Sequence, residues 1–289
     1  MNKEVGKMYV VATPIGNLDD FSNRACSILS QVDWIAAEDT RESQKLLNHY
    51  GIQKKLISLH NFNEASRIQD ILERLRKGEQ GALISDAGTP GISDPGGRLV
   101  RALHERQIPV VPIPGPCALT SALSVSGIVQ TEFLFLGFLP ATACARRIAL
   151  EKVESLSFTL IFYEAPHRIL DMLQDCEAIL GSQRRVMVAR ELTKKYETLY
   201  VNHLQSLVSD LKDQLIPQKG EFVIIIEGNY EKNLDNQEVN IQKAKILLSH
   251  LLNELSLKSA VNLAAKITDF SKNTLYDWAI ELHNKSEMS

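Results

Sequence analysis

The fold is decided by one glycine- and proline-rich stretch, Ile84-Ser85-Asp86-Ala87-Gly88-Thr89-Pro90-Gly91-Ile92-Ser93-Asp94-Pro95-Gly96-Gly97. An apolar run at 81–84 predicts a strand before it, and residues 97–106 have the period of an amphipathic helix. Proline fixes φ and glycine leaves peptide groups uncovered, so the loop is stiff and exposes its backbone. Open α/β sheets receive ligands at the carboxyl ends of their strands, which favours a binding loop over a long surface turn.

Length and charge exclude few classes of protein. The chain of 289 residues is too long for one small domain, and its net charge of -3 gives no global basic field. The four cysteines have neither a Cys-x-x-Cys pair nor metal-ligand spacing, so we expect reduced thiols and no metal. No leader pattern and no apolar run near the ~20 residues of a membrane span occur, so we expect a soluble, cytoplasmic protein without a membrane partner.

Strand and helix patterns alternate through residues 1–128, which we assign to an N-terminal α/β domain with a parallel sheet. Two further Gly/Pro loops, at 13–17 and 114–118, follow apolar strand runs. Parallel strands end at the same edge of a sheet, so the three loops should line one side of a cleft. The other side must come from a second domain.

Residues 129–230 predict a second α/β domain. The strand run at 197–201 follows the run at 185–190 without a helix between them, so part of this sheet must be antiparallel and the sheet mixed. The polar, aperiodic stretch 228–240 predicts a linker, which opens the third segment, 231–289. The rest of that segment is helical in pattern, with breaks at Ser256 and 269–271 that are typical of a helix-turn-helix.

The common signatures of phosphate, metal and nucleophile chemistry are missing from the sequence. It contains no G-x-G-x-x-G or G-x-x-x-x-G-K-[ST] cradle, no H-E-x-x-H or Cys/His cluster, and no G-x-S-x-G elbow. The remaining interpretation is a small organic ligand that is held by main-chain groups, with a carboxylate such as Asp86 nearby.

Six ordered motifs carry a resemblance to one family. They are Thr13-Pro14-Ile15-Gly16-Asn17, Glu38-Asp39-Thr40-Arg41, the loop 85–96, Pro114-Gly115-Pro116, Phe162-Tyr163-Glu164-Ala165-Pro166-His167-Arg168 and Arg190-Glu191-Leu192-Thr193-Lys194-Lys195-Tyr196-Glu197. With them the chain resembles the ribosomal RNA small subunit methyltransferase I family of the tetrapyrrole methylase superfamily. The resemblance covers residues 8–228 in motif order, and the helical tail resembles the family's C-terminal helix-turn-helix. Cys117 departs from the family's common Ser, but a main-chain contact would survive that change.

The resemblance implies S-adenosyl-L-methionine as the cofactor, folded into the cleft between the two α/β domains. By motif position, the cofactor-binding residues would be Pro14, Asp86, Ala87, Gly88, Thr89, Ile92, Cys117, Ala118, Phe162, Tyr163, Leu192 and Gly220. Exposed peptide groups and an apolar slot suit adenine and the aminoacyl end. Core packing at a strand end is the alternative for Phe162, and is less favoured for Tyr163, whose hydroxyl needs a polar partner.

The reaction implied is 2'-O-methylation of a cytidine in 16S rRNA, cytidine-1402 in the decoding centre of the small ribosomal subunit. Positioning supplies most of the rate of such a transfer, although a base could help the ribose hydroxyl. Lys194 is the motif candidate, and its pKa would have to fall by roughly 3 units from ~10.4. Glu191 would be the easier base if it points inward. Alternatively, both residues only position phosphate or brace each other.

The same resemblance gives the RNA contacts and the assembly. Candidate substrate-binding residues are Glu38, Asp39, Arg41, Arg168 and Arg190. Asp39 could instead cap the helix after Thr40. The expected partners are 16S rRNA or the 30S subunit and a second copy in a homodimer.

Two other functions stay open at this stage. One is a tetrapyrrole C-methyltransferase of sirohaem or cobalamin synthesis. The other is a helix-turn-helix regulator that senses S-adenosylmethionine without turnover.

Overall fold

The computed structural model describes residues 4–129, 131–268 and 270–286, with side chains described outside 230–240 and 283–286. The chain forms two compact units. One comprises residues up to 154 together with 158–228, and the other comprises 155–157 and the residues from 229 onward. The first unit contains two sheets, and each unit is described by itself below.

The first sheet is parallel throughout, as the alternating pattern predicts. Its order is β3-β2-β4-β1-β5. Its strands are β1 (Met8–Val11), β2 (Trp34–Ala37), β3 (Lys55–Ser58), β4 (Gly81–Ile84) and β5 (Val110–Ile113). The accompanying helices are α1 (Asn23–Gln31), α2 (Thr40–His49), α3 (Glu64–Arg76), α4 (Gly97–Glu105) and α5 (Ala118–Val125).

Strand order brings the three Gly/Pro loops together. They follow β4, β1 and β5, which are adjacent in the sheet. Apolar clusters cover both faces of this sheet, one around Trp34 and Leu72 and the other around Leu29 and Ile35. Burial on both faces is typical of parallel sheets and leaves the carboxyl edge as the open side.

The second sheet is mixed, as predicted, in the order β6-β7-β10-β8-β9. Its strands are β6 (Phe133–Phe138), β7 (Thr159–Glu164), β8 (Arg185–Arg190), β9 (Thr198–His203) and β10 (Phe222–Ile226). Only the β6–β7 pair is parallel among these, and β8 and β9 form the expected antiparallel pair. Three helices accompany it, namely α6 (Ala143–Glu151), α7 (Ile169–Leu180) and α8 (Leu204–Lys212).

Helix α5 joins the two sheets into one unit. Its Leu119 and Ala122 pack with Ile161, Met187 and Ile225 of the second sheet. The last helix of the first domain is therefore part of the second sheet's core, and this packing fixes the loop 114–118 against the second sheet.

The C-terminal unit contains three helices, α9 (Tyr230–Glu254), α10 (Leu257–Ile267) and α11 (Lys272–Ser286). They pack around a small apolar core that includes Leu248, Val261 and Leu275. The predicted breaks at Ser256 and 269–271 fall between these helices, although Asp269 lies outside the described residues. No described helix is long and apolar enough to cross a membrane.

The predicted linker is wrong, because α9 begins at Tyr230 and continues through 240. The stretch 230–240 is polar but contains no glycine or proline, and Glu, Lys, Leu and Gln favour helix. Polarity without a helix breaker does not interrupt a helix. The three-domain boundaries at 128/129 and 230/231 stay a prediction.

Candidate active site

Hydrogen bonds fasten the three Gly/Pro loops to one another. Thr13 and Gly88 exchange main-chain bonds, with N···O distances of 2.8 and 3.0 Å. The Thr89 hydroxyl donates to the Pro116 carbonyl at 3.0 Å. The loops after β1, β4 and β5 therefore form one rigid rim at the carboxyl edge of the first sheet.

A cavity of about 300 Å³ lies between this rim and the second sheet. Seven of the twelve residues predicted to bind cofactor line it, namely Ala87, Gly88, Thr89, Ile92, Cys117, Ala118 and Tyr163. Sequence reasoning missed the other lining residues, which are Ile15, Ser93, Asp94, Phe138, Glu164, Ala165, Pro166, Glu221, Phe222 and Val223. Ile15, Ser93, Asp94 and residues 164–166 lie inside the quoted motifs, and Glu221 follows the predicted Gly220.

The remaining predicted cofactor residues lie around the cavity without lining it. Pro14 is buried in the rim, and Leu192 packs on the cluster around α5. Phe162 is fully buried, and because strand neighbours point to opposite faces, its ring lies on the side of β7 away from Tyr163. The core-packing alternative describes the Phe162 side chain, and only its main chain is left as a predicted contact.

Tyr163 connects β7 to the start of α5. Its hydroxyl accepts a hydrogen bond from the Leu119 N–H at 3.0 Å, in the first turn of α5. Cys117 precedes that helix without a side-chain cap, so Tyr163 satisfies a donor that the helix leaves open. Burial raises the pKa of Tyr163, and Phe135 and Phe138 pack edge-on against its ring. The residue is thus an uncharged, fixed wall of the cavity.

Three carboxylates, Glu38, Asp86 and Asp94, form what we call the acidic edge. Burial, followed by the charges of Asp94 and Asp86, raises the pKa of Glu38 to about 7. Burial and Asp86 raise the pKa of Asp94 to about 6, against a hydrogen bond with Ser85. Asp86 itself accepts a hydrogen bond from the Asp39 N–H at 2.9 Å.

The acidic edge provides a test of the cofactor that the resemblance implies. Burial is the larger cause of the raised pKa values of Glu38 and Asp94, and neighbouring carboxylate charge adds to it, so a cation beside these groups would favour their charged forms. A sulfonium and an ammonium would supply that positive charge, and the apolar walls around Ile15 and Phe138 suit adenine. The described residues include no group of His, Cys, Asp or Glu side chains arranged to hold a metal ion. The residues present therefore fit S-adenosylmethionine.

Glu191, Lys194 and Glu221 form a second charged group, which we call the lysine edge. Lys194 Nζ lies 2.9 Å from Glu191 Oε1 and 2.9 Å from Glu221 Oε2. The Glu221 N–H also donates to Glu191 Oε1, at 3.0 Å. Of the three residues, Glu221 lines the cavity, and it does so while bonded to Lys194.

The geometry of the lysine edge does not favour the predicted role of Lys194 as a general base. Partial burial lowers its pKa, but the bonds to Glu221 and Glu191 outweigh burial, and the net pKa is raised. The pKa of Glu191 is lowered, because its bonds to Lys194 and to the Glu221 backbone outweigh desolvation. Lys194 is thus held as a cation, and Glu191 as a carboxylate with its oxygen occupied. The alternative in which the two residues brace each other matches this geometry.

Two glycines make room for the lysine edge. A Cβ on Gly16 would lie 2.4 Å from Lys194 Cγ, and one on Gly220 would lie 2.4 Å from Glu191 Cδ. Gly220 also has a φ of +88°, which L side chains rarely adopt. The predicted role of Gly220 as a cofactor contact is untested, whereas its packing role under Glu191 is visible.

The predicted RNA-binding residues do not share one environment. Arg41 is 87% exposed and pairs with Asp39 at 2.9 Å, which lowers the pKa of Asp39 to about 2. Asp39 also caps α2 by accepting from the Arg41 N–H. Arg190 donates to the carbonyls of Lys219 and Tyr196.

Arg168 is placed differently from the prediction. Its Nη2 lies 3.2 Å from Oε2 of the fully buried Glu164 side chain and 2.6 Å from the Leu139 carbonyl. Through these two contacts, the Arg168 guanidinium holds the segment after β6 against the end of β7. Its position does not support the predicted contact with RNA.

Comparison with known proteins agrees with this architecture. Residues 7–208 match the family model of the Tetrapyrrole (Corrin/Porphyrin) Methylases, and residues 241–283 match the RsmI C-terminal HTH domain. The solved methyltransferase CobJ matches 77% of this chain and 94% of its own at a TM-score of 0.58 and 17% identity. Diphthine synthase matches 81% of this chain and 95% of its own, at a TM-score of 0.59 and 12% identity. At these identities the structures show the fold alone.

Curated relatives match over nearly the full chain. The ribosomal RNA small subunit methyltransferase I of Haemophilus influenzae is 47% identical over 97% of this chain and 98% of its own. Those of Pasteurella multocida and Escherichia coli O157:H7 are 48% and 46% identical, over 98% and 96% of this chain and 100% and 95% of theirs. The chain therefore belongs to the ribosomal RNA small subunit methyltransferase I family, which has the tetrapyrrole methylase fold.

Proposed function

We propose that this protein transfers a methyl group from S-adenosyl-L-methionine to the ribose 2'-hydroxyl of a cytidine in 16S rRNA, at cytidine-1402 in the decoding centre. The observation that carries the proposal is the cavity between the three loops and the second sheet, with Asp94 of the acidic edge in its wall. The names of the curated relatives support ribosomal RNA as the methyl acceptor.

The chain's residues would hold the cofactor mainly through peptide groups. Ala87, Gly88, Cys117 and Ala118 offer main-chain groups to adenine and to the aminoacyl end. The acidic edge attracts the cationic part, because a cation near Glu38, Asp86 and Asp94 relieves their mutual repulsion. When bound, the cofactor supplies an activated methyl group, so the protein's main task is in-line positioning.

Phe138 and Tyr163 close the cavity on the side of the second sheet. The Tyr163 hydroxyl is occupied by Leu119 N–H and its pKa is raised, so it does not act as a base. Phe138 is 55% exposed although it lines the cavity, which leaves it free to be covered by bound cofactor or acceptor. Their contribution is to exclude water and to set the width of the site.

RNA would approach exposed cations that lie in two of the family motifs. Arg41 projects from the start of α2, and Lys195 lies over the ring of the exposed Tyr196. A basic side chain stacked on an aromatic ring suits a phosphate next to an unstacked base. Use of 30S subunits, a homodimeric assembly and a cytoplasmic location are part of this proposal and are supported by the family resemblance alone.

A labelling experiment tests the proposed function. The protein is incubated with methyl-tritiated cofactor and, separately, 30S subunits, naked 16S rRNA or uroporphyrinogen, and the RNA is digested to nucleosides. We expect label in 2'-O-methylcytidine with one of the two RNA substrates. Label in the porphyrin would instead support a tetrapyrrole methyltransferase. Tight cofactor binding without any transfer would support a regulator.

A further inference from the structure

Glu221 is the carboxylate of the cavity wall that faces outward. Its side chain is 76% exposed, yet it lines the cavity and its Oε2 bonds to Lys194 Nζ. An incoming hydroxyl group can reach such a carboxylate without any rearrangement of the core. Neither the sequence motifs nor the comparisons assign it a role.

The other carboxylates of the cavity wall are less suited to receive a proton from an acceptor. Glu164 has a fully buried side chain that pairs with Arg168 and accepts a hydrogen bond from the Ala165 N–H. Asp94 belongs to the acidic edge, where burial and Asp86 raise its pKa. Only Glu221, among the described carboxylates of the wall, combines an exposed side chain with an ion pair to a lysine.

Two main-chain hydrogen bonds fix the position of Glu221, in addition to its ion pair with Lys194. Its N–H donates to Glu191 Oε1 and its carbonyl accepts from the Glu191 N–H at 2.9 Å. The loop that carries Lys194 is held as well: the Asn17 N–H donates to the Thr193 hydroxyl at 3.1 Å, which ties this loop to the rim of the cavity. Preorganisation of this kind holds a reacting group at a defined distance.

We propose that Glu221 is a catalytic residue that accepts the proton of the ribose 2'-hydroxyl, with Lys194 as the positioning residue that orients it. This inference rests on the proposed function. Glu221 takes the proton as the hydroxyl oxygen bonds to the methyl carbon, while the carbon–sulfur bond breaks and its electron pair stays on sulfur. The protonated carboxyl then releases the proton to water. A carboxylate suffices, because the hydroxyl becomes strongly acidic only as the new bond forms.

The test compares Glu221→Gln and Glu221→Asp with wild type. We expect Glu221→Gln to lower kcat by about 100-fold. Its affinity for cofactor in calorimetry should stay within twofold of wild type, and its melting temperature should be unchanged. Above pH 8 the kcat of Glu221→Gln should increase with hydroxide, whereas Glu221→Asp should recover part of the lost rate at neutral pH. Glu105→Gln is the matched control, since Glu105 is also exposed and ion-paired, and it should behave as wild type.

The groups facing Glu221 define which titrations could confuse the pH profile. They are Lys194 and Glu191, which bond to Glu221, and Glu164 and Asp94, which line the same cavity. Retention of wild-type kcat by Glu221→Gln across the pH range would overturn the inference, as would a loss that follows weakened cofactor binding. Failure of the wild type to methylate either RNA would instead contradict the proposed function.

Discussion

The two edges of the cavity use carboxylates in opposite ways. At the acidic edge, burial and, after it, the charge of Asp86 raise the pKa values of Glu38 and Asp94 to about 7 and about 6. At the lysine edge, Lys194 lies between Glu191 and Glu221, and the pKa of Glu191 falls. The acidic edge has no cation of its own among its three carboxylates, so a ligand can supply one. The lysine edge already contains a cation, Lys194. The contrast suggests that the cofactor's charge belongs at the first edge and the acceptor at the second.

The largest effect is expected where a built-in cation pairs with a fully buried carboxylate. Replacing Arg168 with Met leaves Glu164 buried and unpaired, and should lower the free energy of unfolding by about 3 kcal/mol. Chemical denaturation of the full chain measures this loss. The double variant Glu164→Gln/Arg168→Met removes the buried charge and should regain much of the stability. Equal stability of Arg168→Met and wild type would show that the Arg168–Glu164 pair does not stabilise the fold.

A smaller loss of stability is expected at the lysine edge. Lys194→Met removes the cation shared by Glu191 and Glu221 and should cost about 1–2 kcal/mol, since the group is only partly buried. The control is Lys45→Met, whose exposed pair with Glu42 should contribute less than about 0.5 kcal/mol. If denaturation midpoints of the two variants shift equally, the lysine edge is an ordinary surface pair.

The charge of Asp86 in the acidic edge should be detected mainly in cofactor affinity. Asp86→Asn keeps an acceptor for the Asp39 N–H but removes one charge, so affinity should fall about tenfold, or about 1.4 kcal/mol. Asp86→Ala should bind more weakly still while retaining the fold. Calorimetry with Asp70→Asn as an exposed control checks this expectation. Unchanged affinity in Asp86→Asn would remove the acidic edge from the binding site.

The smallest effect is a pair of opposite pH trends. Because the pKa values of Glu38 and Asp94 are raised on folding, their contribution to stability is present at low pH and is lost as pH rises through about 6 to 7. Cofactor affinity should change the other way and be several-fold weaker at pH 5.5 than at pH 7.5, because the edge loses negative charge.

Thermal melts and calorimetry at the two pH values measure these trends. The double variant Glu38→Gln/Asp94→Asn is the control, because any titration of the ligand itself remains in it. Both trends should flatten in this variant. Persistence of either trend would assign the titration to other groups.

The sequence predicted the first sheet and its loops well, because alternating strand and helix patterns and Gly/Pro loops are local signals. The strands that carry those loops are adjacent in the structure, as expected. It named both Phe162 and Tyr163 as contacts and favoured Tyr163 only through its hydroxyl, because β7 is buried on both faces and shows no alternation that would mark the cavity side.

The lysine edge was also beyond local reasoning. Glu221 lies 27 positions after Lys194, and only the pairing of β8 with β10 brings the two side chains together. Without Glu221, the pKa of Lys194 could be argued in either direction. The predicted linker failed for another reason, since a polar stretch without breakers extends α9.

The most direct test of the cavity as the cofactor site is alkylation of Cys117, which lines it, measured by peptide mass spectrometry. Cys144 is exposed and serves as the reference in the same chain. Saturating S-adenosylmethionine should slow modification of Cys117 at least tenfold and leave Cys144 unchanged. Equal rates at Cys117 with and without the ligand, under conditions where calorimetry shows binding, would contradict the central claim.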